Sequence, residues 1–273
     1  MKLTFLLVLT SCTISFSQGS LFIIGGGDRP PAMMQRMIQE AQLTKTDHIA
    51  ILTMSSATPD TSYYYIKEDL RPVTSNQIAK LQFSKSLVND KSMLDSVKHA
   101  KLIFITGGVQ TRFMNVVLNT PVFDAIHYAY NHGAMIAGTS AGAAVMSEIM
   151  ITGDQIRADT LYSGSVDRIV AGNMETKQGL GFLKNTIVDQ HFIKRSRYNR
   201  LLTLLAQYPD KICIGIDEAT AVLVRNRKAE VIGNSQIILL QNKSKKMKIG
   251  TPLRLENIKM SVLTDGDQFK LRL

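Results

Sequence analysis

Short apolar runs alternate with helical patterns along most of this chain, and this alternation constrains its fold more than any other feature. Six runs are predicted to be strands, several of them apolar on both faces: Leu21–Ile24, His48–Thr53, Leu102–Ile105, Met135–Ala137, Thr186–Val188 and Ile212–Ile216. Such runs suit a parallel sheet covered by helices. The helices are predicted at Ala32–Ala41, Ser75–Ser84, Thr111–Leu118, Val122–Asn131, Ala143–Met150 and Ser196–Gln207. We therefore predict an α/β fold with a mostly parallel, doubly wound sheet.

The pattern changes after about Ala219. Short apolar segments are separated there by Asn-Arg, Gly-Asn and Asn-Lys turns, which predict antiparallel hairpins at one edge of the sheet. Neither a Pro/Ser-rich linker nor an internal repeat divides the chain of 273 residues. We expect a single α/β domain over residues 18–273.

Residues 1–17 resemble an export signal. Lys2 is followed by the short apolar core Leu3–Leu9, and the small residues Ser15 and Ser17 would permit cleavage before Gln18. The apolar core is too short to span a membrane. Leu9-Thr10-Ser11-Cys12 also resembles a lipoprotein signal, in which Cys12 would carry a lipid anchor. Either form of processing predicts an exported protein, periplasmic or extracellular.

Charge and cysteine content exclude two classes of protein. The formal charge is +10, but the basic residues are scattered and no nucleic-acid-binding motif is present, so nucleic acid is not an expected partner. Two cysteines, Cys12 and Cys213, cannot build an internal disulfide framework once the leader is removed. Cys213 lies in an apolar strand and is predicted to be a core residue.

Gly138-Thr139-Ser140-Ala141-Gly142 has the G-x-S-x-G pattern of a nucleophile elbow. An apolar run precedes it and a helical pattern follows, which is the context that an elbow requires. The glycines allow backbone to pass close to Oγ of Ser140, and the following amides point toward an anion formed there. We interpret Ser140 as a nucleophile; a tight strand-to-helix turn is the alternative.

Polar residues follow several predicted strands on the same edge of the sheet, where sites form in open α/β folds. A serine needs a base, and His191 is the best candidate because it ends a strand, as Ser140 does. The other histidines begin a strand or lie in or beside helices, and His99, His127 and His132 are expected at the surface. Glu218, Asp217 or Asp154 could orient His191.

Backbone amides of Gly108 and Ala141 are candidates for an oxyanion site. Arg195, Arg197 and Arg200 follow His191 and favour binding of a carboxylate, because a guanidinium matches a carboxylate with two hydrogen bonds. Gly25-Gly26-Gly27 lacks the spaced third glycine of a dinucleotide fingerprint. We expect neither a cofactor nor a metal.

Together, several segments resemble cyanophycinase-type serine peptidases, the group that includes dipeptidase E. The segments are Leu21–Gly27, Thr106–Gln110, Gly138–Ala143, Gly179–Phe182, Asp189–Leu201 and Gly215–Glu218. The resemblance implies a fold like class I glutamine amidotransferases. It also implies release of β-aspartyl-arginine dipeptides from cyanophycin, a poly-aspartate that carries arginine on each side-chain carboxyl.

Site roles are implied by the same resemblance. Ser140 would be the nucleophile, His191 the base and Glu218 the third member, while Asp154 lies near the acid position of dipeptidase E relatives. The substrate pocket would be shaped by Gln110, Asp189, Gln190, Arg195, Arg197 and Arg200. The resemblance also suggests a homodimer. Two alternatives stay open: a peptidase for other aspartyl or isoaspartyl peptides, and a silent relative that binds acidic ligands.

Overall fold

The protein is described by a computed structural model, over residues 18–156, 166, 169–243, 247–248 and 253–271. Its helices are α1 (Pro31–Ala41), α2 (Pro59–Leu70), α3 (Lys91–Lys98), α4 (Gln110–Val117), α5 (Pro121–Asn131), α6 (Ala141–Ala144) and α7 (Tyr198–Gln207). Strands of the first two thirds are β1 (Ser20–Ile24), β2 (His48–Leu52), β3 (Gln77–Leu81), β4 (Leu102–Ile105), β5 (Met135–Thr139), β6 (Ile149–Gln155), β7 (Met174–Gln178) and β8 (Thr186–Gln190). The remainder are β9 (Ile212–Ile216), β10 (Thr220–Arg225), β11 (Lys228–Gly233), β12 (Ile237–Asn242), β13 (Met247–Lys248), β14 (Arg254–Leu255), β15 (Ile258–Leu263) and β16 (Gln268–Lys270).

An eight-stranded sheet forms the centre of the fold, in the order β16-β11-β10-β1-β5-β4-β2-β3. Strands β1, β5, β4, β2 and β3 are parallel, whereas β10, β11 and β16 continue the sheet as antiparallel neighbours. The predicted α/β class and the antiparallel hairpins near the C-terminus are confirmed. The carboxyl ends of the parallel strands therefore meet at one edge, which is where Ser140 follows β5.

A second sheet of four strands, β15-β12-β9-β8, lies beside the first. In it β8 and β9 run parallel, so their carboxyl ends also meet at one edge. Sequence patterns predicted β8 and β9 as strands without assigning them to a separate sheet. The chain crosses from the second sheet to the first between β9 and β10, and Glu218 lies in this short connection.

Three apolar clusters hold these layers together. Alternate residues of β1 enter different clusters, because side chains on a strand alternate between its faces. Leu21 and Ile23 pack in a cluster that includes α5 and residues of the second sheet, whereas Phe22 and Ile24 pack against α1 and α2. The third cluster joins the second sheet to α7, through residues such as Leu204. Burial on both faces explains why the central strands read as continuous apolar runs.

Two predicted helices are wrong. The segment predicted as helix Ser75–Ser84 contains strand β3, which pairs with β2 in parallel. The helix predicted at Ala143–Met150 is the single turn α6 over Ala141–Ala144, and β6 begins at Ile149. The helices α2 and α3 were not predicted. In each case pairing or packing with distant segments determines the local structure.

Residues 1–17, including Cys12, lie outside the described residues, so the export signal and the lipid anchor stay predictions. None of the helices in the described residues combines the length and apolar character needed to span a bilayer.

Candidate active site

Ser140 has a strained backbone at the sharp turn between β5 and α6. Its φ and ψ are 53° and −109°, and a positive φ is rare for a residue with a side chain. The amide of Ser140 donates to Ile24 O at 3.0 Å, which anchors the turn on β1. Gly138 and Gly142 pass so close to each other that a Cβ on Gly138 would overlap the backbone of Gly142. This is the geometry of a nucleophile elbow.

His191 meets Ser140 across the boundary between the two sheets. Its Nε2 lies 2.8 Å from Oγ of Ser140, which is hydrogen-bonding distance. The amide of His191 donates to Gly25 O at 2.8 Å, so the backbone of the histidine is fixed to the end of β1. A base in this position can accept the hydroxyl proton of Ser140.

Glu218 contacts the other nitrogen of the same imidazole. Its Oε1 lies 2.6 Å from Nδ1 of His191. This contact favours the tautomer with the proton on Nδ1, which leaves Nε2 free to act as the base toward Ser140. The three side chains therefore form one continuous chain of hydrogen bonds.

The other two carboxylates considered for this role lie elsewhere. Asp217 Oδ1 accepts from the amide of Lys194 at 2.8 Å, and its Oδ2 accepts from Oγ of Ser235 at 2.7 Å. Asp154 is exposed on β6. Both ring nitrogens of His191 already have partners, so neither Asp217 nor Asp154 orients the imidazole.

The surroundings of His191 favour its neutral form. Burial lowers the pKa of His191, and the nearby positive charges of Arg195 and Arg197 lower it further. The hydrogen bond to Glu218 and its charge act in the opposite direction. The net pKa lies below its ordinary value, so the imidazole is an unprotonated base at neutral pH.

The predicted oxyanion donors lie on two turns beside the serine. A Cβ on Gly107 would lie 3.5 Å from Cβ of Ser140, which places the Gly107–Gly108 turn against the nucleophile. Ala141 follows the serine directly. Within the described part of the chain, the amides of Gly108 and Ala141 donate to no other backbone group in these turns. Both donors are local amides, since the four-residue α6 is too short to add much of a dipole.

Asp189 and Arg200 form a buried ion pair behind the histidine. Asp189 is fully buried, and its Oδ2 accepts from Nε of Arg200 at 2.7 Å while its Oδ1 also contacts that guanidinium. Arg197 Nη1 lies 3.4 Å from the same carboxylate and donates to Gln190 O at 2.5 Å. The charge of Asp189 is thus already compensated within the protein, which makes it a support for the two arginines.

Among the described residues, two buried polar atoms in this region lack a partner. They are Nε of Arg197, a donor, and Oε1 of Gln190, an acceptor. Burial and the adjacent charge of Arg200 lower the pKa of Arg197 to about 10, which still leaves it cationic at neutral pH. Buried polar atoms without partners are costly, so these two atoms lower the stability of this region.

The remaining predicted pocket residues differ in their contacts. Gln110 is buried, and its Nε2 donates to the carbonyl oxygens of Ile151 and Thr152 at 2.8 and 2.7 Å, so it supports β6. Arg195 is exposed near His191, and its charge acts on the imidazole. It is therefore the arginine of the set that is most accessible to a ligand.

Glycines at the end of β1 contribute to the site, although the sequence pattern alone assigned them no role. Gly26 has φ +117°, and a Cβ on it would lie 2.5 Å from Nε2 of His191. A Cβ on Gly27 would lie 2.7 Å from Cβ of Glu218. Three successive glycines at a strand end are the feature of the sequence that points to these positions. Such a run indicates that another group approaches the backbone closely, but it does not identify His191 or Glu218 as that group.

The other histidines and the cysteine lie outside this arrangement. His48 Nε2 is bonded to Ser96 O at 2.8 Å. His127 was expected at the surface but is half-buried, stacked between Phe123 and Phe182. Cys213 is buried, as predicted, and burial raises the pKa of its thiol, so it is not a nucleophile.

Comparison with known proteins relates this chain to peptidases. The model of peptidase family S51 matches residues 57–232, a range that includes Ser140, His191 and Glu218. A cyanophycinase of Trichormus variabilis is 36% identical over 177 residues, covering 62% of this chain and 56% of that protein. A cyanophycinase of Synechococcus elongatus is 27% identical over 233 residues, covering 82% of this chain and 70% of that protein.

A solved structure has the same fold. The crystal structure of a peptidase from an acI-B1 Actinobacterium matches with a TM-score of 0.69 at 21% identity, covering 94% of this chain and 98% of that chain. The chain spans just over half the length of the first of the cyanophycinases, 56%.

Proposed function

This chain belongs to peptidase family S51, and on that premise we propose that it is an exported serine exopeptidase of cyanophycinase type. Its reaction is release of β-Asp-Arg dipeptides from cyanophycin by Ser140, His191 and Glu218. The observation that carries the proposal is the continuous contact from Oγ of Ser140 through the imidazole to Glu218, at 2.8 and 2.6 Å. The matching cyanophycinases support the choice of substrate.

The proposed reaction begins with attack of Oγ of Ser140 on the carbonyl carbon of the scissile peptide bond. The hydroxyl proton passes to Nε2 of His191, and Glu218 stabilises the imidazolium. The carbonyl oxygen becomes an oxyanion, which the amides of Gly108 and Ala141 bind. The C–N bond then breaks, and His191 gives its proton to the leaving amine. A water molecule then gives a proton to His191 and attacks the acyl carbon of the acyl-enzyme. The ester C–O bond breaks, and His191 returns the proton to Oγ of Ser140.

Substrate charge fits the residues around the histidine. Arg195 and Arg197 carry positive charge beside the imidazole, and Arg195 is exposed. A guanidinium binds a carboxylate with charge-assisted hydrogen bonds, so a substrate with a free carboxylate, such as the end of an aspartyl chain, complements this charge.

Purified protein tests the reaction directly. We expect it to release β-Asp-Arg from cyanophycin, with no release by Ser140→Ala. A panel of β-linked and α-linked Asp-X dipeptides is assayed in parallel. Turnover of the dipeptides without turnover of the polymer would replace cyanophycin by isoaspartyl or aspartyl peptides. Binding of such peptides by wild-type protein without turnover or labelling of Ser140 would instead identify a silent binding relative.

Export is tested on the full chain in a bacterial host. We expect the protein in the periplasm or medium, and a deletion of residues 2–17 should retain it in the cytoplasm. Cys12→Ser distinguishes the two signals: loss of membrane attachment supports the lipoprotein signal, whereas unchanged soluble export supports cleavage before Gln18. Cytoplasmic full-length protein would contradict export.

A further inference from the structure

We propose that Ser55 is a positioning residue for the oxyanion site, because it holds the Gly107–Gly108 turn against Ser140. Ser55 lies beyond the carboxyl end of β2 and is fully buried. Its Oγ lies 2.6 Å from Thr106 O and 3.0 Å from Gly107 O. The hydroxyl therefore binds the turn immediately before the predicted donor, the amide of Gly108.

The backbone of Ser55 binds the same turn on its other side. Ser55 O accepts from the amide of Val109 at 2.8 Å and from Nη1 of Arg112 at 2.9 Å. Gly108, which has φ +136°, passes so close that a Cβ on it would overlap Ser55 O. Ser55 thus contacts the chain before and after Gly108, and Arg112 holds the carbonyl group of Ser55 from outside.

Fixing this turn matters because an oxyanion donor acts only when it is aimed at the developing charge. Gly107 and Gly108 are consecutive glycines, and glycine has the widest range of backbone conformations. Without a partner, their amides would sample many directions. Ser55 supplies the restraint that the turn's own residues lack, and it does so without touching the substrate.

The inference rests on the proposed serine mechanism, and it concerns the formation of the tetrahedral intermediate. Ser55→Ala removes the hydroxyl and leaves the carbonyl contacts in place. We expect kcat to fall by about 10- to 100-fold with KM changed less than about twofold, since the donor is displaced and not deleted. A purely structural serine would lower stability and leave kcat of the folded protein unchanged.

Ser147→Ala is the matched control. Ser147 is also fully buried, and its Oγ accepts from the amide of Val188 at 3.1 Å, away from the turn. We expect both variants to lower the midpoint of urea unfolding, but only Ser55→Ala to lower kcat. Equal kcat values in the two variants would overturn the inference.

Arg112→Met provides a second variant, because Arg112 is exposed and its loss leaves the core intact. It removes one of the two donors to Ser55 O, and we expect a fall in kcat of at least about threefold. If Ser55→Ala does not fold, Arg112→Met alone tests the role of Ser55. An unchanged kcat in Arg112→Met would then overturn the inference.

The labelling rate of Ser140 by a small fluorophosphonate separates this inference from the substrate assignment. Labelling needs Ser140, His191 and the oxyanion donors but not the peptide pocket. Slower labelling of Ser55→Ala than of wild type and Ser147→Ala supports the role of Ser55, whichever peptide is the substrate. Labelling of Ser55→Ala at the wild-type rate overturns the role of Ser55 and leaves the proposed function standing. Wild-type protein that neither labels nor hydrolyses any peptide overturns the proposed function, and this inference with it.

Discussion

Oε1 of Glu218 lies 2.6 Å from Nδ1 of His191, although the two residues are 27 positions apart in the chain. Both follow strands of the second sheet, β8 and β9, which are parallel neighbours. Parallel pairing brings their carboxyl ends together, so the contact is a direct result of the sheet register. This pairing separates Glu218 from Asp154, which lies on β6, and the hydrogen bonds of Asp217 to Lys194 and Ser235 separate it from Asp217.

Glu218→Gln should reduce kcat strongly while leaving KM nearly unchanged. The amide can no longer stabilise the imidazolium and can favour the wrong tautomer, for which a loss of about 10⁴-fold is the precedent. Steady-state kinetics on the peptide that the wild type cleaves measures the effect. Asp154→Asn is the control, because Asp154 lies exposed on β6. Loss of activity in the Asp154 variant alone would transfer the role to that residue.

Arg195→Gln should move the acidic limb of the pH profile to higher pH. The positive charge of Arg195 lowers the pKa of His191, so its removal makes the imidazole easier to protonate. Activity requires the neutral base and is lost as pH falls through this pKa. The kcat/KM of the variant should therefore begin to fall at a higher pH than that of the wild type.

Lys194→Gln is the matched control for this shift. It removes an exposed positive charge from the neighbouring position, whereas the charges that lower the pKa of His191 are those of Arg195 and Arg197. Its acidic limb should coincide with that of the wild type. A shift of equal size in both variants would mean that general surface charge, and not Arg195, sets the profile.

Gly26→Ala should abolish activity through a steric effect. The added Cβ would lie 2.5 Å from Nε2 of His191, so the imidazole must leave its position beside Ser140. Gly266→Ala is the control, since Gly266 also has a positive φ, +83°, but nothing lies within 4 Å of its Cβ. Each variant should lose about 1–3 kcal/mol of unfolding free energy from backbone strain. Only Gly26→Ala should lose kcat, by at least about 100-fold.

Asp189→Asn should destabilise the fold as well as the site. It leaves the buried guanidinium of Arg200 without its counter-charge, and breaking a buried pair costs about 3–5 kcal/mol. Denaturant unfolding measures this loss. Glu68→Gln removes the exposed pair of Glu68 with Arg71 and should leave stability nearly unchanged. If Asp189→Asn lost as little unfolding free energy as Glu68→Gln, the charge of Asp189 would be dispensable for stability.

Sequence patterns predicted the parts of the fold that are buried on both faces. The runs at β1, β4 and β9 are continuous apolar segments, so their length and composition were sufficient to predict them as buried strands. Strand β3 was predicted to be helical because Gln77–Leu81 contains residues that favour helices and is only partly buried at the sheet edge. Its pairing with β2, not its own propensity, makes it a strand.

The residues of the candidate site could be predicted from the sequence where the residue type and its position in a motif or at a strand end indicate catalysis. Ser140 is the central residue of the G-x-S-x-G motif, and His191 lies at a strand end, so both could be chosen from their positions in the sequence. Ser55 could not, because its importance depends on contacts with Thr106 and Gly107, some 50 residues away. Gly26 likewise acquires its role only when His191 lies against it. Contacts of this kind appear only when strands are assigned to sheets.

Glu218 lies at the point where the chain passes from one sheet to the other, and this position has a mechanical consequence. Ser140 is carried by the larger sheet and His191 by the smaller one, so the 2.8 Å contact between them spans the boundary. The amide of His191 also donates to Gly25 O at the end of β1, so this hydrogen bond ties the smaller sheet to the larger one beside the nucleophile. Separation of the two sheets during unfolding would break this tie, so activity should vanish before secondary structure does.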